Sequence, residues 1–566
     1  MTQDTARVDR VARPMPGVIY PDPVRLAKYL SAGELPRRGL IDGLMDSFTR
    51  NADRAALWYE GETVTYADLD VRSDRAAAGF LALGMKPLDR ALFQMRNSPE
   101  FYVAFIGCLK AGIIPICSLL AHREHEIEYL ATEGHARMHL VDGDDPRFDL
   151  VAFARAVQTR TPTLKFIVAA RGAPAADITR LDALTEAQTP EAARATVAAV
   201  PRDPFQVAIF QLSGGTTGVP KIIPRFQNDY LLNMTLTIER LGYRADDTMF
   251  IAYPPIHNAA MGCCWGPTLL AGGTVAIASE LSGESFARLI TDARPTWIAQ
   301  LISGLTPYFQ QAQALGADFS SVRALWQAGS TEMAEQARAW LGVPTWQMFG
   351  MTEGLNLYPR TGDPEDVWKT TLGRPLSDWD EVVILEPEGS REVRDGEVGE
   401  MACRGPFIVP GYFNAPARNR EAFTEDGFYR SGDLMSRVRI GGLSYFRYEG
   451  RLKDVISRGG EKINAAEVEG VLLRHPAVMH AAVVAYPCPR MGERACAMIV
   501  LKADAPGFDL AELQRFFGAV GVAKFKWPER VQTVAALSLT KVGKIDKAAM
   551  KKAVIAALEQ EGQAAA

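Results

Sequence analysis

The first group of residues suited to chemistry is a loop rich in glycine and hydroxyl side chains. It reads Leu212-Ser-Gly-Gly-Thr-Thr-Gly-Val-Pro-Lys221 and follows an apolar run that predicts a buried strand. Glycine has no Cβ, so backbone N–H groups there can surround an anion, while hydroxyls and a lysine add donors and charge. It is not a Walker loop, because Pro220 precedes Lys221 and Ile222 follows it. The predicted phosphate ligands are Ser213, Gly214, Gly215, Thr216, Thr217, Gly218 and Lys221.

A second stretch, Gln347-Met-Phe-Gly-Met-Thr-Glu-Gly354, carries three side chains that suit ATP. The ring of Phe349 can stack on adenine, the hydroxyl of Thr352 can bond the α-phosphate, and the carboxylate of Glu353 can hold Mg²⁺. Taken alone, such a stretch is more often simply the structure at the end of a strand. No Gly-x-Ser-x-Gly or similar signature of a side-chain nucleophile is present, which favours chemistry without a covalent enzyme intermediate.

Composition places the chain among soluble globular proteins. Of its 566 residues, 48% are hydrophobic and 23% are charged, with a net charge of −5, which excludes a disordered or strongly nucleic-acid-attracting protein. The seven cysteines form no Cys-x-x-Cys pair and are predicted to be reduced and mostly buried. His122 and His125, with His135 and His139 beyond, match no zinc spacing, so we expect exposed helix residues there.

The chain begins without a basic segment and apolar core of the secretory type, so a cytoplasmic location is expected. Residues 101–120 are apolar but are broken by Lys110, Gly112 and Pro115. That pattern predicts a buried helix followed by a strand in place of a membrane span.

The elements that must position these side chains are predicted from periodicity. From about residue 56 to residue 349, short apolar runs alternate with segments of helical period, as in parallel sheets covered by crossover helices. Examples are residues 205–212, 248–253, 274–278, 296–302, 322–327 and 345–349. After residue 382 shorter, closely spaced strands predict an antiparallel subdomain, and a compact α+β segment follows residue 450. The predicted fold is α/β, with two parallel-type sheets and a β subdomain in a large domain (residues 1–450) and a small mobile α+β domain (residues 451–566).

The two predicted domains differ in charge. Residues 451–566 hold 17 Lys and Arg against 12 Asp and Glu, a net of +5, so residues 1–450 carry −10. A basic domain suits an anionic ligand or an acidic partner, although a solvated charged surface gives the same count.

Taken in order, the motifs resemble those of the acyl-adenylate-forming superfamily of ligases and adenylation domains. Besides the two stretches above, the matching runs are Tyr429-Arg-Ser-Gly-Asp433, Gly450-Arg-Leu-Lys-Asp454, Arg458-Gly-Gly-Glu-Lys-Ile463 and Lys541-Val-Gly-Lys544. The resemblance extends from about residue 40 to residue 552. It implies ATP and Mg²⁺ as cofactors, with Glu353 holding the metal, Lys544 as the catalytic lysine of the small domain, and Lys453 as the hinge. It further implies that the nucleotide is bound by Gly329, Ser330, Met348, Phe349, Gly350, Asp433 and Arg451, with the Asp433 carboxylate on the ribose.

Within the superfamily the sequence is most similar to the aryl acid-AMP ligases that load dihydroxybenzoate or salicylate onto carrier proteins in siderophore and peptide biosynthesis. Residues 213–225, Pro255-Ile-His-Asn258 and residues 414–433 carry this likeness. It implies an aryl pocket formed by His257, Asn258, Ala259, Cys263, Gly329 and Asn356, in which Asn258 bonds the ortho-hydroxyl and carboxylate side of the acid.

Three positions bear on which acid is bound. Cys263 stands where dihydroxybenzoate enzymes have serine, which favours a single ortho substituent. Ala259 replaces a bulky aromatic residue and Asn356 an aliphatic one. An unpaired buried amide costs about 1–3 kcal/mol, so Asn356 would seek a polar substituent or ring nitrogen on the substrate. The hypothesis is an ortho-hydroxy or ortho-amino aryl acid, with salicylate as the simplest candidate and heteroaryl acids open.

The sequence thus predicts a ligase that forms aryl-AMP and pyrophosphate and then transfers the aryl group to the phosphopantetheine thiol of a separate carrier protein. An aryl-CoA ligase, with CoA as the acceptor, shares the same residues and is the main alternative. A non-catalytic adenylate-binding protein is a further alternative, which the presence of both Glu353 and Lys544 disfavours. Neither nucleic acid nor a membrane is an expected partner.

Overall fold

The computed structural model describes residues 9–172, 174–213, 220–300, 305–328, 331–387, 389–458, 461–540 and 544–564. The chain packs into two compact units. The first comprises Met1–Glu381 with Cys403–Tyr429, and the second Val382–Ala402 with Arg430–Ala566. The predicted boundary at residue 450 separates the large domain from the small domain that is expected to move. It stays a prediction.

The strands follow the alternation of apolar runs along the chain. They are β1 (Ala55–Tyr59), β2 (Glu62–Thr65), β3 (Arg90–Gln94), β4 (Ile114–Ile116), β5 (Ala136–Asp142), β6 (Phe166–Ala170), β7 (Thr179–Arg180), β8 (Val207–Ser213), β9 (Lys221–Phe226), β10 (Thr248–Ile251), β11 (Thr274–Ile277), β12 (Trp297–Gln300), β13 (Ala324–Ala328), β14 (Thr345–Gly350), β15 (Asn356–Tyr358), β16 (Arg374–Pro375), β17 (Glu381–Leu385), β18 (Val398–Arg404), β19 (Tyr429–Ile440), β20 (Leu443–Arg451), β21 (Val455–Arg458), β22 (Glu461–Asn464), β23 (Val478–Cys488), β24 (Gly492–Leu501) and β25 (Arg530–Thr533).

The α-helices lie mostly between consecutive parallel strands. They are α1 (Pro23–Ser31), α2 (Leu40–Arg50), α3 (Tyr66–Leu83), α4 (Pro99–Lys110), α5 (Glu124–Glu133), α6 (Leu150–Arg160), α7 (Leu181–Glu186), α8 (Pro190–Ala198), α9 (Gln227–Leu241), α10 (Gly266–Ala271), α11 (Gly283–Ala293), α12 (Thr306–Ala314), α13 (Thr331–Leu341), α14 (Glu365–Thr370), α15 (Pro416–Ala422), α16 (Ala465–Leu473), α17 (Leu510–Val520) and α18 (Lys547–Ala564). A π-helix, Ala260–Trp265, leads into α10, and short 3₁₀ turns are formed by Phe319–Ser321, Leu452–Asp454 and Lys524–Lys526.

Two large sheets form the framework of the first unit. One has nine strands in the order β16-β15-β14-β13-β12-β10-β11-β1-β2, parallel from β14 to β1. The other has seven strands in the order β7-β6-β5-β3-β4-β8-β9, parallel except for the last pair. Both parallel-type sheets are therefore confirmed. Chain segments that follow the carboxyl ends of such strands gather at one edge of a sheet, where ligands of open α/β folds bind.

Local sequence explains how these helices start and stop. At α3, the Thr65 side chain accepts a hydrogen bond from the backbone N–H of Asp68, and Asp68 bonds back to Thr65, a capping box. The helix ends at Gly84, whose φ of 109° suits a residue without Cβ. Helix α4 is buried all round and is followed by strand β4, as the pattern of residues 101–120 predicts.

The second unit contains two smaller sheets. One has the order β17-β18-β19-β20, with β19 and β20 antiparallel, as predicted for this region. The other has the order β22-β21-β24-β23, with β25 pairing to β24. Apolar residues of β23, β24, α16 and α17 form its core. Among the described residues, no helix is long and apolar enough to cross a bilayer.

The prediction of exposed helical histidines is wrong for two of them. His122 precedes α5 and is buried, with Nδ1 accepting from the backbone N–H of Leu119. His139 lies inside β5, fully buried, with Nε2 3.1 Å from Gln94 Oε1. The cysteines behave as predicted, because all seven are free and six are buried.

Candidate active site

Glu353 lies in the segment after β14 and is held by two tyrosine hydroxyls. Tyr412 donates to Glu353 Oε1 at 2.7 Å and Tyr429 donates to the same oxygen at 3.0 Å. Tyr412 also contacts Lys221 at the start of β9, with Nζ 3.0 Å from the hydroxyl and 4.6 Å from the ring centre. Burial, then the Glu353 carboxylate, raise the pKa of both tyrosines, so both hydroxyls keep their protons and donate.

The turn after Glu353 is possible only with glycine. Gly354 has a φ of 133°, and a Cβ at this position would lie 2.2 Å from the carbonyl oxygen of Phe407. The Glu353 carbonyl accepts from Val409 N at 2.8 Å. The backbone next to the carboxylate is therefore fixed. Both tyrosines donate to Oε1, so neither of them uses the other carboxylate oxygen, Oε2. A buried carboxylate fixed in this way fits the hard oxygen ligand that Mg²⁺ takes.

Arg225 forms hydrogen bonds with the backbone next to the turn at Gly354, at Thr352 and Phe407. Its guanidinium is 1% exposed and donates to the carbonyls of Thr352, at 3.2 Å, and Phe407, at 3.3 Å. It pairs with Asp229 at 3.3 Å, and burial raises the pKa of that carboxyl to about 6 against the opposing effect of Arg225. A planar donor with several N–H groups can hold two carbonyls and a carboxylate at once, which a lysine could not do.

The predicted phosphate loop is described only at its ends. Ser213 is the last residue of β8, and its Oγ is buried with no hydrogen-bond partner among the described residues. Lys221 opens β9, which is antiparallel to β8, and Ser213 and Lys221 are register partners. Five predicted phosphate ligands lie outside the described residues, as do two residues predicted for the nucleotide: Gly214, Gly215, Thr216, Thr217, Gly218, Gly329 and Ser330.

The predicted adenine and phosphate residues of the second stretch fall at the end of β14. Met348 is buried, Phe349 is half-buried and Gly350 is exposed, the last position of the strand. Thr352 follows in the loop with its carbonyl bound by Arg225. Since β14 is a parallel strand, its carboxyl end is the expected location for a nucleotide site.

Asn258 begins the helical stretch that follows β10 and continues into the π-helix, and it has a tyrosine partner. The Tyr230 hydroxyl donates to Asn258 Oδ1 at 2.6 Å, and the Gln211 amide donates to the same hydroxyl at 3.4 Å. Tyr230 and Gln211 are fully buried, whereas Asn258, His257 and Ala259 are half-buried. The backbone N–H of Ala259 donates to His257 Nδ1 at 3.2 Å.

Asn356, which was predicted for the aryl pocket, is hydrogen-bonded within the protein. It is 4% exposed, and its Nδ2 donates to Asn233 Oδ1 at 2.6 Å, while Asn233 donates to the Gly262 carbonyl at 3.0 Å. The amide already has a protein partner. One N–H of the amide is thus paired within the protein, and the polar ring substituent facing Asn356 stays a prediction.

Cys263 sits in the π-helix Ala260–Trp265, shortly after Asn258. Burial raises the pKa of its thiol to about 11, although a hydrogen bond with the Tyr358 hydroxyl lowers it. Tyr243 donates to the Cys263 carbonyl at 3.0 Å. A π-turn inserts an extra residue into a helix and often marks a functional site.

In the second unit, Asp433 and Arg451 face each other across the β19–β20 hairpin. Arg451 Nε lies 3.2 Å from Asp433 Oδ1, and the two residues are register partners. Lys453 lies two residues further, in the 3₁₀ turn Leu452–Asp454, where burial, then the charge of Arg451, lower its pKa. Lys544 is exposed, and its backbone is held by Thr540 on both N–H and carbonyl.

Four residues of this arrangement were not singled out from the sequence. Arg225 and Tyr429 end or begin runs that match the superfamily, but their side-chain partners are far away in sequence. Nothing in the sequence indicated a functional role for Tyr412 or Tyr230, because a single tyrosine in an apolar segment is typical of any protein core.

Two family models match the chain. An AMP-binding enzyme model covers residues 44–413, and the model of the AMP-binding enzyme C-terminal domain covers residues 467–544. The chain therefore belongs to the AMP-binding enzymes, and the resemblance to the acyl-adenylate-forming superfamily is confirmed.

Among curated relatives, the chain is 35% identical to the vibriobactin-specific 2,3-dihydroxybenzoate-AMP ligase of Vibrio cholerae, over 93% of this chain and 96% of that protein. It is 37% identical to the salicyl-AMP ligase / salicyl-S-ArCP synthetase of Mycobacterium tuberculosis, over 95% of each chain. The solved structure of apo MbtA from Mycobacterium smegmatis is 35% identical, with a TM-score of 0.71, covering 95% of this chain and 98% of that one. These curated relatives are named as aryl acid-AMP ligases, and another relative, 36% identical over 96% of this chain and 98% of that protein, is named the 2-hydroxy-7-methoxy-5-methyl-1-naphthoate–CoA ligase of Streptomyces carzinostaticus.

Proposed function

We propose that this chain activates an ortho-hydroxy or ortho-amino aryl carboxylic acid with ATP and passes it to a phosphopantetheine thiol. In the first step a carboxylate oxygen attacks the α-phosphorus, and pyrophosphate leaves to give aryl-AMP. In the second, the thiol sulfur attacks the activated carbonyl, AMP leaves, and the thiol proton is released. A cytoplasmic location, with its supply of ATP, belongs to the same proposal.

The observation that carries the proposal is the fixed carboxylate of Glu353 beside the phosphate-loop lysine. Both Glu353 Oε1 and Lys221 Nζ contact the Tyr412 hydroxyl, at 2.7 Å and 3.0 Å. A carboxylate suited to Mg²⁺ and an ammonium suited to phosphate are thus adjacent, which supports triphosphate binding. Mg²⁺ bound by Glu353 would neutralise charge on the phosphates.

The remaining nucleotide roles follow the family motifs. The loop of residues 213–218 would surround the phosphates, with Gly329 and Ser330 nearby. Met348, Phe349 and Gly350 would line the adenine. Asp433 would accept from the ribose hydroxyls, with Arg451 at 3.2 Å holding its carboxylate in place.

The proposed mobile part is the segment after residue 450. Lys544 would enter the active site during adenylation and stabilise the charge that develops as pyrophosphate leaves. Lys453 would be the hinge about which residues 451–566 turn before the thiol attacks. Its position in a short 3₁₀ turn between β20 and β21 supports this role, since hinges lie at element ends.

The aryl acid would lie against His257, Asn258, Ala259 and Cys263. Asn258 is half-buried, with its carbonyl oxygen occupied by Tyr230. Its N–H groups have no partner in the described part of the chain and would receive the substrate. A half-buried amide of this kind demands a partner, and an aryl carboxylate with an ortho oxygen provides one.

The test is aryl-acid-dependent exchange of pyrophosphate into ATP with benzoate, 2-hydroxybenzoate, 2,3-dihydroxybenzoate, 2-aminobenzoate and a 2-pyridine carboxylate. Exchange should require an ortho-substituted acid, and equal activity with benzoate would contradict the role of Asn258. Lys544→Ala should suppress exchange and leave ATP binding largely intact. Lys547→Ala is the matched control, because its Nζ is paired with Glu469 at 2.7 Å.

The acceptor is the second point to be decided. An acidic carrier protein is favoured by the excess of basic residues after residue 450. Thioester formation should be compared with a phosphopantetheinylated aryl carrier protein and with CoA, at matched concentrations. A higher kcat/KM with CoA would make the chain an aryl-CoA ligase, and no thioester with either would leave it an adenylating enzyme only.

A further inference from the structure

The amide of Asn258 is oriented by a chain of two buried hydrogen bonds. Gln211 Nε2 donates to the Tyr230 hydroxyl at 3.4 Å, and the same hydroxyl lies 2.6 Å from Asn258 Oδ1. Gln211 is 1% exposed and Tyr230 is fully buried, so no water competes for these atoms. The order of donors and acceptors therefore decides which end of the Asn258 amide remains for a ligand.

The direction of donation follows from the chemistry of the groups. An amide nitrogen only donates, so the Tyr230 oxygen accepts from Gln211 and its own hydrogen points elsewhere. Burial raises the pKa of this hydroxyl far above its usual range, so the hydrogen is present. It is given to Asn258, whose Oδ1 must then face Tyr230, with Nδ2 turned away from it.

We propose that Tyr230 is a positioning residue that sets substrate selectivity by fixing Asn258 with its N–H groups toward the bound acid. This rests on the proposed function, in which Asn258 contacts the aryl acid. A fixed amide donor selects an ortho substituent that can accept a hydrogen bond. The hydroxyl oxygen of 2-hydroxybenzoate or a ring nitrogen qualifies, whereas the amino group of 2-aminobenzoate, with its lone pair delocalised into the ring, offers only donors.

The backbone next to Asn258 is held by His257. Its Nδ1 accepts from the backbone N–H of Ala259 at 3.2 Å. With an N–H of Asn258 left facing the donors of an ortho-amino group, the accepting acid should be preferred about tenfold.

The decisive variant is Tyr230→Phe, which keeps the ring and removes the hydroxyl. Asn258 is then free to turn and present Oδ1 to the amino group. The ratio of kcat/KM for 2-hydroxybenzoate over 2-aminobenzoate should fall about tenfold, mainly through KM. Activity with a 2-pyridine carboxylate should fall in parallel with that of 2-hydroxybenzoate. A purely structural role would lower activity with all acids by one factor and leave the ratio unchanged.

The matched control is Tyr66→Phe. Tyr66 is also fully buried, and its hydroxyl donates to a backbone carbonyl, that of Gly273, at 2.6 Å. Its removal costs a comparable hydrogen bond without touching Asn258, so the selectivity ratio should stay at the wild-type value.

A second variant keeps the test decisive if Tyr230→Phe does not fold. Gln211→Met removes the donor that directs the Tyr230 hydroxyl and should lower the same ratio by a smaller factor. An unchanged ratio in a folded Tyr230→Phe protein, or in Gln211→Met when the first variant fails, overturns the inference. If the wild-type protein shows no pyrophosphate exchange with any of the aryl acids tested, the proposed function fails instead. The two failures are therefore distinguishable.

Discussion

The Tyr412 hydroxyl lies between Glu353 Oε1, at 2.7 Å, and Lys221 Nζ, at 3.0 Å. Residues that come from three separate parts of the first unit are joined by this one oxygen. It couples the lysine at the end of the predicted phosphate loop to the carboxylate that suits Mg²⁺. Tyr429, 3.0 Å from the same carboxylate oxygen, gives a second donor.

Tyr412→Phe and Tyr429→Phe should weaken the response of the enzyme to Mg²⁺. Each hydroxyl donates to a carboxylate, a bond worth about 1.5–3 kcal/mol, but either can partly replace the other. Each single change should raise the Mg²⁺ concentration for half-maximal pyrophosphate exchange a few-fold, and the double change about tenfold. Metal titration of the exchange rate, with Mn²⁺ binding followed by electron paramagnetic resonance, measures this.

Tyr102→Phe is the control for these variants, because its buried hydroxyl bonds Asn97 at 3.2 Å and does not contact Glu353. It should leave the metal dependence unchanged. If the double variant keeps the wild-type metal dependence, Glu353 is not positioned by these tyrosines.

Arg225→Ala should destabilise the first unit by about 3–5 kcal/mol. The change removes the donor to the Thr352 and Phe407 carbonyls. It also removes the cation that pairs with the buried Asp229 carboxylate. Chemical denaturation of the purified protein measures the loss. The double change Arg225→Ala with Asp229→Ala should recover part of it, and no recovery would show that the lost carbonyl contacts account for the whole effect.

The sequence predicted the sheets well, for a physical reason. Strands that are buried on both faces are continuous apolar runs, so β10, β11 and β14 lie within a few residues of the runs that predicted them. His139 is the exception, because a buried polar residue inside β5 looks the same in sequence as an exposed one.

The sequence predicted which types of residue form the site better than it predicted their contacts. Glu353, Asn258 and Lys221 stand in motifs, but Tyr412 meets Glu353 across 59 residues of chain and Asn233 meets Asn356 across 123. Such pairs depend on how the sheets fold, which periodicity does not specify. For the same reason the sequence did not predict the protein partner of Asn356, which lies in helix α9.

Asp433→Asn should remove discrimination at the ribose. The carboxylate can accept from two hydroxyls, whereas an amide has one accepting oxygen. The wild-type enzyme should favour ATP over 2′-deoxy-ATP or 3′-deoxy-ATP, and the variant should lose most of that preference while its KM for ATP rises about tenfold. Glu449→Gln, in the same hairpin and bonded to Ser436 at 2.6 Å, is the control. A preference that survives in the variant would remove Asp433 from the ribose site.

His139 makes the first unit sensitive to acid. Burial lowers the pKa of its imidazole to about 3, against about 6.5 in an unfolded chain. The folded state therefore keeps the ring neutral, while the unfolded state takes up a proton as the pH falls below 6.5, so stability is lost as the pH falls from about 6.5 towards 3. Between pH 7 and pH 5 this residue should remove roughly 2 kcal/mol from the free energy of unfolding. His139→Gln keeps a side-chain amide donor for Gln94 and has no proton to gain. Denaturant unfolding of both proteins at pH 7 and pH 5 measures the difference, and equal losses in the two would show that other groups cause the acid sensitivity.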